Sequence, residues 1–286
     1  MLSAQEVVFN APHGVLCCTL AGKVVQANRK GARILGFRSG RELLCQRKGL
    51  THFLAYPEDY LRLKQRLTRH GRLQGVTVTI KKGTGRQAWL RLNAHVVHSK
   101  TSGCFLIFHF YDITQQKIGE KQLTRLATTD PLTGLCNRRQ FYQFVSRRIA
   151  EAMECGDQFG LMFIDLNKFK YVNDEFGHLF GDKVLCAISQ RISGRIRNSD
   201  VLARIGGDEF CVLVNRIKSM KDLQTLATDI EQVVGQPLSV DDTRLCIRVS
   251  IGMAAYPFHG LSLEALIDRA DKNMYLYNGL LGATQA

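Results

Sequence analysis

The chain has 286 residues, 45% of them hydrophobic and 22% charged, enough for about two domains of ordinary globular composition. That balance excludes collagen-like, fibrous and wholly disordered chains. The longest apolar stretches, Gly103–Tyr111 and Gly160–Leu166, stop well short of the ~18 residues of a membrane span, and no Lys or Arg precedes the weak apolar run Gly14–Leu20. No membrane span and a cytoplasmic location are therefore expected. Thirty-nine Lys and Arg against 25 Asp and Glu give a formal charge of +14, which suits an anionic partner. The basic residues are scattered, with no stripe interleaved with aromatics, so nucleic acid is not the expected partner. Nine cysteines, an odd number without a C-x-x-C pair, read as reduced, mostly buried thiols.

In chain order, an apolar run from Gly14, a turn at Ala21 and Gly22 and a second run at Val24 and Val25 precede a helix from Asn28 to about Gly36. From Leu73 to Tyr111 the pattern predicts three strands: Val76, Val78 and Ile80 alternate with threonines, and Leu90, Leu92, Ala94 and Val96 with polar residues. Turn signals at Lys82–Gly85 and Thr101–Gly103 separate them. This is a half-buried antiparallel sheet with helices in front of it. Thr114 to Leu126 is polar and helix-favouring, an exposed connector, so the expected divisions are 1–112, a linker helix 113–128 and a domain 129–286. Beyond Asp130 helical and strand patterns alternate: helix 138–155, strand 161–165, helix 182–197, a strand pair around Gly206, helix 221–234, strand 245–253 and a last helix from Leu261. That is a mixed α/β (α+β) architecture.

Two acidic segments carry the candidate chemistry. Val201–Ile205 and Phe210–Val214 flank Gly206-Gly207-Asp208-Glu209, a hairpin whose glycines are expected to take positive φ and whose tip presents two carboxylates. Leu161–Asp165 reads as a central strand ending on a carboxylate. Were the two adjacent, Asp165 with Asp208 or Glu209 would make a site for a hard divalent cation on a nucleoside triphosphate. Asn173 and Asp182 offer donor and acceptor atoms to a purine edge; the alternatives are a cap or turn for Asn173 and an N-cap for Asp182.

Together these segments resemble the GGDEF family of diguanylate cyclases over about residues 112–280. Gly206-Gly-Asp-Glu-Phe210 is the signature, Asp130-Pro-Leu-Thr-Gly-Leu-Cys-Asn-Arg-Arg139 looks like the opening motif, and Ile164–Asp174 with Gly177, His178, Gly181 and Asp182 is similar to the nucleotide segment. The resemblance implies a palm-like nucleotidyl cyclase fold condensing two GTP to cyclic di-GMP across a homodimer. It implies Mg²⁺ or Mn²⁺ held by Asp165, the Leu166 carbonyl, Asp208 and Glu209, with Asp208 and Glu209 catalytic. It further implies substrate contacts from Asn173, Asp182, Lys168, Phe169 and Lys170. Arg197-Asn-Ser-Asp200, with Arg204 just ahead of the hairpin, looks like the family's product-inhibition site, and an arginine fork suits guanine or phosphate. The family's usual C-terminal pattern is matched at Ala270-Asp271 and Met274-Tyr275, but Asn278 and Gly282 stand where a phosphate-binding Lys and Arg are expected. Each lost contact to a charged group costs ~1.5 to 3 kcal/mol.

The N-terminal part resembles a PAS sensor at Gly14-Val-Leu, Ala21-Gly-Lys, Asn28, Leu35-Gly-Phe37 and Asp112-Ile-Thr. An unidentified PAS ligand is allowed for. His52, His70, His95, His98 and His109 are available to a haem, although packing roles suit each of them, and the reactive cysteine of a blue-light flavin domain is missing. Two functional readings stand: a PAS-regulated diguanylate cyclase, and a catalytically impaired GGDEF protein that binds GTP or cyclic di-GMP as a regulator. A PAS scaffold with no nucleotide would leave the acidic segments without purpose.

Overall fold

The computed structural model describes residues 11–46, 49–99 and 103–282, without the side chains of 99 and 275–282. The chain divides into two compact units, 1–122 and 123–286, and the division falls inside the connecting helix.

In the first unit, β1 (Gly14–Thr19), β2 (Val24–Ala27), β3 (Arg72–Lys81), β4 (Gln87–Ser99) and β5 (Gly103–Asp112) form an antiparallel sheet in the order β2-β1-β5-β4-β3. Helices α1 (Arg29–Ile34), α2 (Gly40–Cys45) and α3 (Glu58–His70) and a 3₁₀ turn at Leu50–His52 lie between β2 and β3 in sequence. Alternation along the strands puts Leu90, Leu92, Ala94, Leu106, Phe108 and Phe110 into one core with Leu63 and Leu67 of α3. Each such apolar side chain contributes about 1.5–3 kcal/mol on burial. Asn28 joins α1 to the sheet: its Oδ1 accepts the Gly31 N–H at 2.7 Å, capping the helix, and the Val15 N–H at 2.9 Å. At the far end Asp112 accepts the Thr114 N–H at 3.0 Å and an ion pair from Lys82 at 2.8 Å, while the Trp89 N–H donates to Thr114 Oγ1 at 3.0 Å. There α4 (Thr114–Thr128) begins. None of its residues is buried, and Leu123 and Leu126 are each 68% exposed.

The second unit holds β6 (Cys136–Asn137), α5 (Arg138–Cys155), β7 (Phe159–Leu166), α6 (Phe169–Phe176), α7 (His178–Ser193), β8 (Val201–Arg204), β9 (Glu209–Val214), α8 (Met220–Gly235), β10 (Leu238–Val240), β11 (Thr243–Leu245), β12 (Val249–Tyr256) and α9 (Leu263–Gly282). Five of the strands make a sheet, β12-β7-β9-β8-β6, in which only β6 with β8 is parallel. Met162, Ile164, Leu166, Phe210 and Val212 face α6, α7 and α8. Leu161, Phe163, Cys211 and Leu213 face α5 and α9. With helices on both faces, β7 reads as a continuous apolar run, as a central strand should.

Three sequence expectations shift. The helix expected over 182–197 is α7, four residues earlier, because Gly177 at φ 83° ends α6 and starts α7. Asp182 therefore lies inside α7 and is not its N-cap. The strand expected over 245–253 is two elements, since Leu245 ends β11 and β12 starts at Val249. All nine cysteines are free thiols as read, but only Cys18 and Cys211 are buried; Cys45, Cys155 and Cys246 are exposed. Of the Thr101–Gly103 turn, residues 101 and 102 lie outside the described residues. No helix among the described residues is long and apolar enough to cross a membrane.

Candidate nucleotide-binding site

β7 is buried at every residue but Asp165. Asp165 pairs in register with Glu209 at the start of β9, and both belong to the odd-numbered rows of their strands that face α5 and α9. Leu166 is buried, and its N–H donates to the Asp208 carbonyl at 3.3 Å, tying the strand end to the hairpin tip. Burial, and then the negative charges of Asp208, Glu209 and Asp271, push the Asp165 carboxyl up to about 6. Burial and the charges of Asp208 and Asp271 likewise raise Glu209, against an opposing pull from Arg138. Among the described residues no three His, Cys, Asp or Glu side chains converge as a ready-made ion cage. The donor set nevertheless fits a hard divalent cation, because these are oxygen ligands whose mutual repulsion a cation relieves.

The hairpin forms between β8 and β9, but neither Gly206 nor Gly207 takes the positive φ expected of them. Gly206 lies against the Glu209 carboxylate, which a Cβ at that position would force to move. The loop is braced by Arg204, whose Nε and Nη2 donate to the Gly207 carbonyl at 3.1 and 2.8 Å while Nη1 reaches Asp130 at 3.1 Å. Asp130 also accepts the Thr133 N–H and hydroxyl. Burial works against the charge of Asp130, but these hydrogen bonds outweigh it and hold the carboxyl below the usual carboxylate range. Arg204 thus joins the opening motif to the signature loop and does not accompany Arg197. The sequence displayed both motifs without showing that they meet.

Next to the loop a cleft of about 360 Å³ is lined by Phe169, Lys170, Asn173 and Asp182 from one side and by Arg204 and Asp208 from the other. Asn173 is one turn from the end of α6 and lies over Gly181 of α7, where any Cβ would strike its amide oxygen. Lys168, in the left-handed region at φ 60°, begins α6 and does not line the cleft; neither do Asp165 and Glu209, which adjoin it through Asp208. A separate cleft of about 720 Å³ contains Arg147, Arg148, Arg197 and Arg216 with Asp157. Asp200 does not line it: its carboxylate accepts the Arg197 N–H at 3.1 Å and the Asn215 N–H at 2.9 Å, closing the turn ahead of β8. The side chain of Asn278, together with Gly282, lies outside the described side chains. Sequence reading gave no role to Asp271 and Arg138, which act on Glu209 from α9 and α5; only the fold brings them together.

Carboxylates on two central antiparallel strands, helices on both faces and an amide-carboxylate cleft at one end define a palm-like nucleotidyl cyclase domain. The family described as "Diguanylate cyclase, GGDEF domain" matches residues 127–278, and a PAS domain matches residues 7–69. The chain belongs to the GGDEF diguanylate cyclase family, with an N-terminal PAS domain. The diguanylate cyclase TpbB of Pseudomonas aeruginosa UCBPP-PA14 is 39% identical over 155 residues, 54% of this chain and 36% of that protein. The cyclic di-GMP phosphodiesterase PdeR of Escherichia coli K12 is 35% identical over 288 residues, 95% of this chain and 41% of that one. The chain therefore spans less than half the length of both curated relatives. Among solved structures, the coiled coil and GGDEF domain of DgcB from Caulobacter crescentus, in complex with c-di-GMP, aligns with TM-score 0.52 at 30% identity, covering 57% of this chain and 86% of that one.

Proposed function

We propose that the C-terminal unit condenses two GTP molecules into cyclic di-GMP with release of two pyrophosphates, each copy in a homodimer presenting one GTP. The observation that carries this reading is the in-register pair Asp165 and Glu209 beside Asp208, adjoining the Asn173 and Asp182 cleft. Asp165, Asp208, Glu209 and the Leu166 carbonyl are the proposed ligands of Mg²⁺ or Mn²⁺, which when bound neutralises the triphosphate and stabilises the charge of the departing pyrophosphate. Asn173 and Asp182 hydrogen-bond the guanine edge, Asp182 accepting from its N–H groups. Phe169 and Lys170 bound the nucleotide within the cleft, and Lys168 stands at the start of the same helix. Glu209 accepts the proton of the 3′-hydroxyl. The freed oxygen attacks the α-phosphorus of the partner's GTP in line as the bond to pyrophosphate breaks. Arg204 and Asp130 keep the loop in position for this. Product inhibition through Arg197 and its neighbouring arginines, and control by the PAS unit, complete the proposal, with Asp200 shaping the turn.

A second reading, a nucleotide-binding regulator without turnover, is favoured by Asn278 and Gly282 and by the relative PdeR, named a phosphodiesterase, which aligns over 95% of this chain. Incubating the protein with GTP and Mg²⁺ at several protein concentrations separates the two. A cyclase gives cyclic di-GMP rising more than linearly with protein and abolished by Asp208→Ala. A folded sample that binds cyclic di-GMP but forms none establishes the regulator.

A further inference from the structure

Among the described residues the core of the first unit is tightly filled. Between sheet and helices the structure leaves about 30 Å³, with a lining that includes Leu16, Phe53, Leu63, Ile80, Leu92 and Phe108 and no polar side chain. That is about one water's share of liquid volume, and no haem or flavin fits it. An open feature lies elsewhere: a cleft of about 410 Å³ on the same unit, lined by His13, Lys30, Arg33, Lys82, Tyr111 and Asp112 among others.

From this cleft we infer a binding site for a small polyanion, a molecule carrying at least two carboxylate or phosphate groups. Lys30 and Arg33, three residues apart, share one face of α1. Lys82 comes from the β3–β4 turn, and His13 precedes β1. Among the described residues only one carboxylate, Asp112, lines the cleft, and Lys82 pairs with it at 2.8 Å. Lys30 and Arg33 make no ion pair among the described residues. The cations sit on a fixed frame: the Gly83 N–H donates to the Leu35 carbonyl at 2.8 Å, and Phe37 packs against Gly83, fastening the turn that bears Lys82 to the end of α1. Like charges held together in a concave site concentrate anions, and the Arg33 fork accepts a carboxylate or phosphate by two hydrogen bonds. A bound polyanion also competes with Asp112 for Lys82, and Asp112 is the residue that accepts the Thr114 N–H where α4 begins. Occupancy is thereby coupled to the root of the connecting helix.

Isothermal titration calorimetry of the full chain without divalent cations tests this, with citrate as the carboxylate probe and inorganic pyrophosphate as the phosphate probe. The wild type binds at least one of them, and which one identifies the preferred anion. Arg33→Glu weakens that binding by about tenfold or more, since about 1.4 kcal/mol of charged contact is tenfold. Arg197→Ala, which removes a cation from the other arginine-lined cleft, leaves it unchanged. Circular dichroism checks that each variant is folded, and Lys30→Glu serves as the second variant should Arg33→Glu not fold. Absence of binding by both probes, or binding that survives the sensor variants and is lost in Arg197→Ala, overturns the proposal.

Discussion

Four carboxylates, Asp165, Asp208, Glu209 and Asp271, share one electrostatic neighbourhood, and in the absence of a cation their repulsion adds to the larger effect of burial in raising the Asp165 pKa. Asp165→Asn is therefore expected to stabilise the cation-free protein at neutral pH by about 1 kcal/mol after solvent screening, raising Tm by about 2–4 °C, while abolishing turnover. Thermal melts in the presence of a chelator check the first outcome and product chromatography the second. The opposite sign is expected at Asp130, whose ion pair with Arg204 leaves side chains only 16% and 14% exposed. Asp130→Ala strands a half-buried guanidinium and costs about 2 kcal/mol, read as a lower denaturant midpoint, and weakens GTP turnover by loosening the loop. Its carboxyl is depressed in the folded state, so the stability it contributes is present above the ordinary carboxylate range and is lost as pH falls through its folded value, below about pH 4. The sequence made Asp165 legible because a buried strand ending on a carboxylate is a local pattern. Asp271 and the aim of Arg204 were illegible because each depends on residues far off in the chain.

Alternation made β3, β4 and β5 readable from their own residues, but their outer face needed the strand register. With β1 against β5 and β5 against β4, His13 lies 3.1 Å from His109, and the His95 ring stacks on His109 at 5.5 Å. Burial and the two neighbouring imidazoles lower the His109 pKa. A folded value below the unfolded one means that protonation favours unfolding, so stability of the first unit falls as pH drops through about 6.5 and below. Melts between neutral and mildly acidic pH are expected to show this fall, and His109→Phe to flatten it; an unchanged slope in the variant places the sensitivity elsewhere. Among helices, α7 was read one turn late because Asp182 has the look of a cap. The glycine that starts the helix leaves Asp182 in the second turn, where its carboxylate faces the cleft instead of the backbone.

The two units have cores that share no residue. Calorimetry of the whole chain without divalent cations should accordingly resolve two transitions, which mild acidification moves in opposite directions: the first unit's falls as His109 is protonated, and the second unit's rises as Asp165 takes up a proton; a single cooperative transition rejects independent units. The length indicated about two domains, the pattern of helices and strands indicated a mixed class, and the polar run after Asp112 is where the sequence suggested a boundary. Whether each unit encloses a ligand was not readable, since the filling of the first core depends on side chains from nine separate segments. The chain contains a single tryptophan, Trp89, bonded through its backbone to Thr114 and overlain by the Lys121 ammonium 4.9 Å from its ring centre. Both partners belong to α4, and the cation lies against the indole itself. Excited to the red of tyrosine absorption, the emission of the unlabelled protein therefore comes from one place, the root of the connecting helix, and any bending or release of that helix alters its colour and intensity, with no tryptophan of the second unit to obscure it.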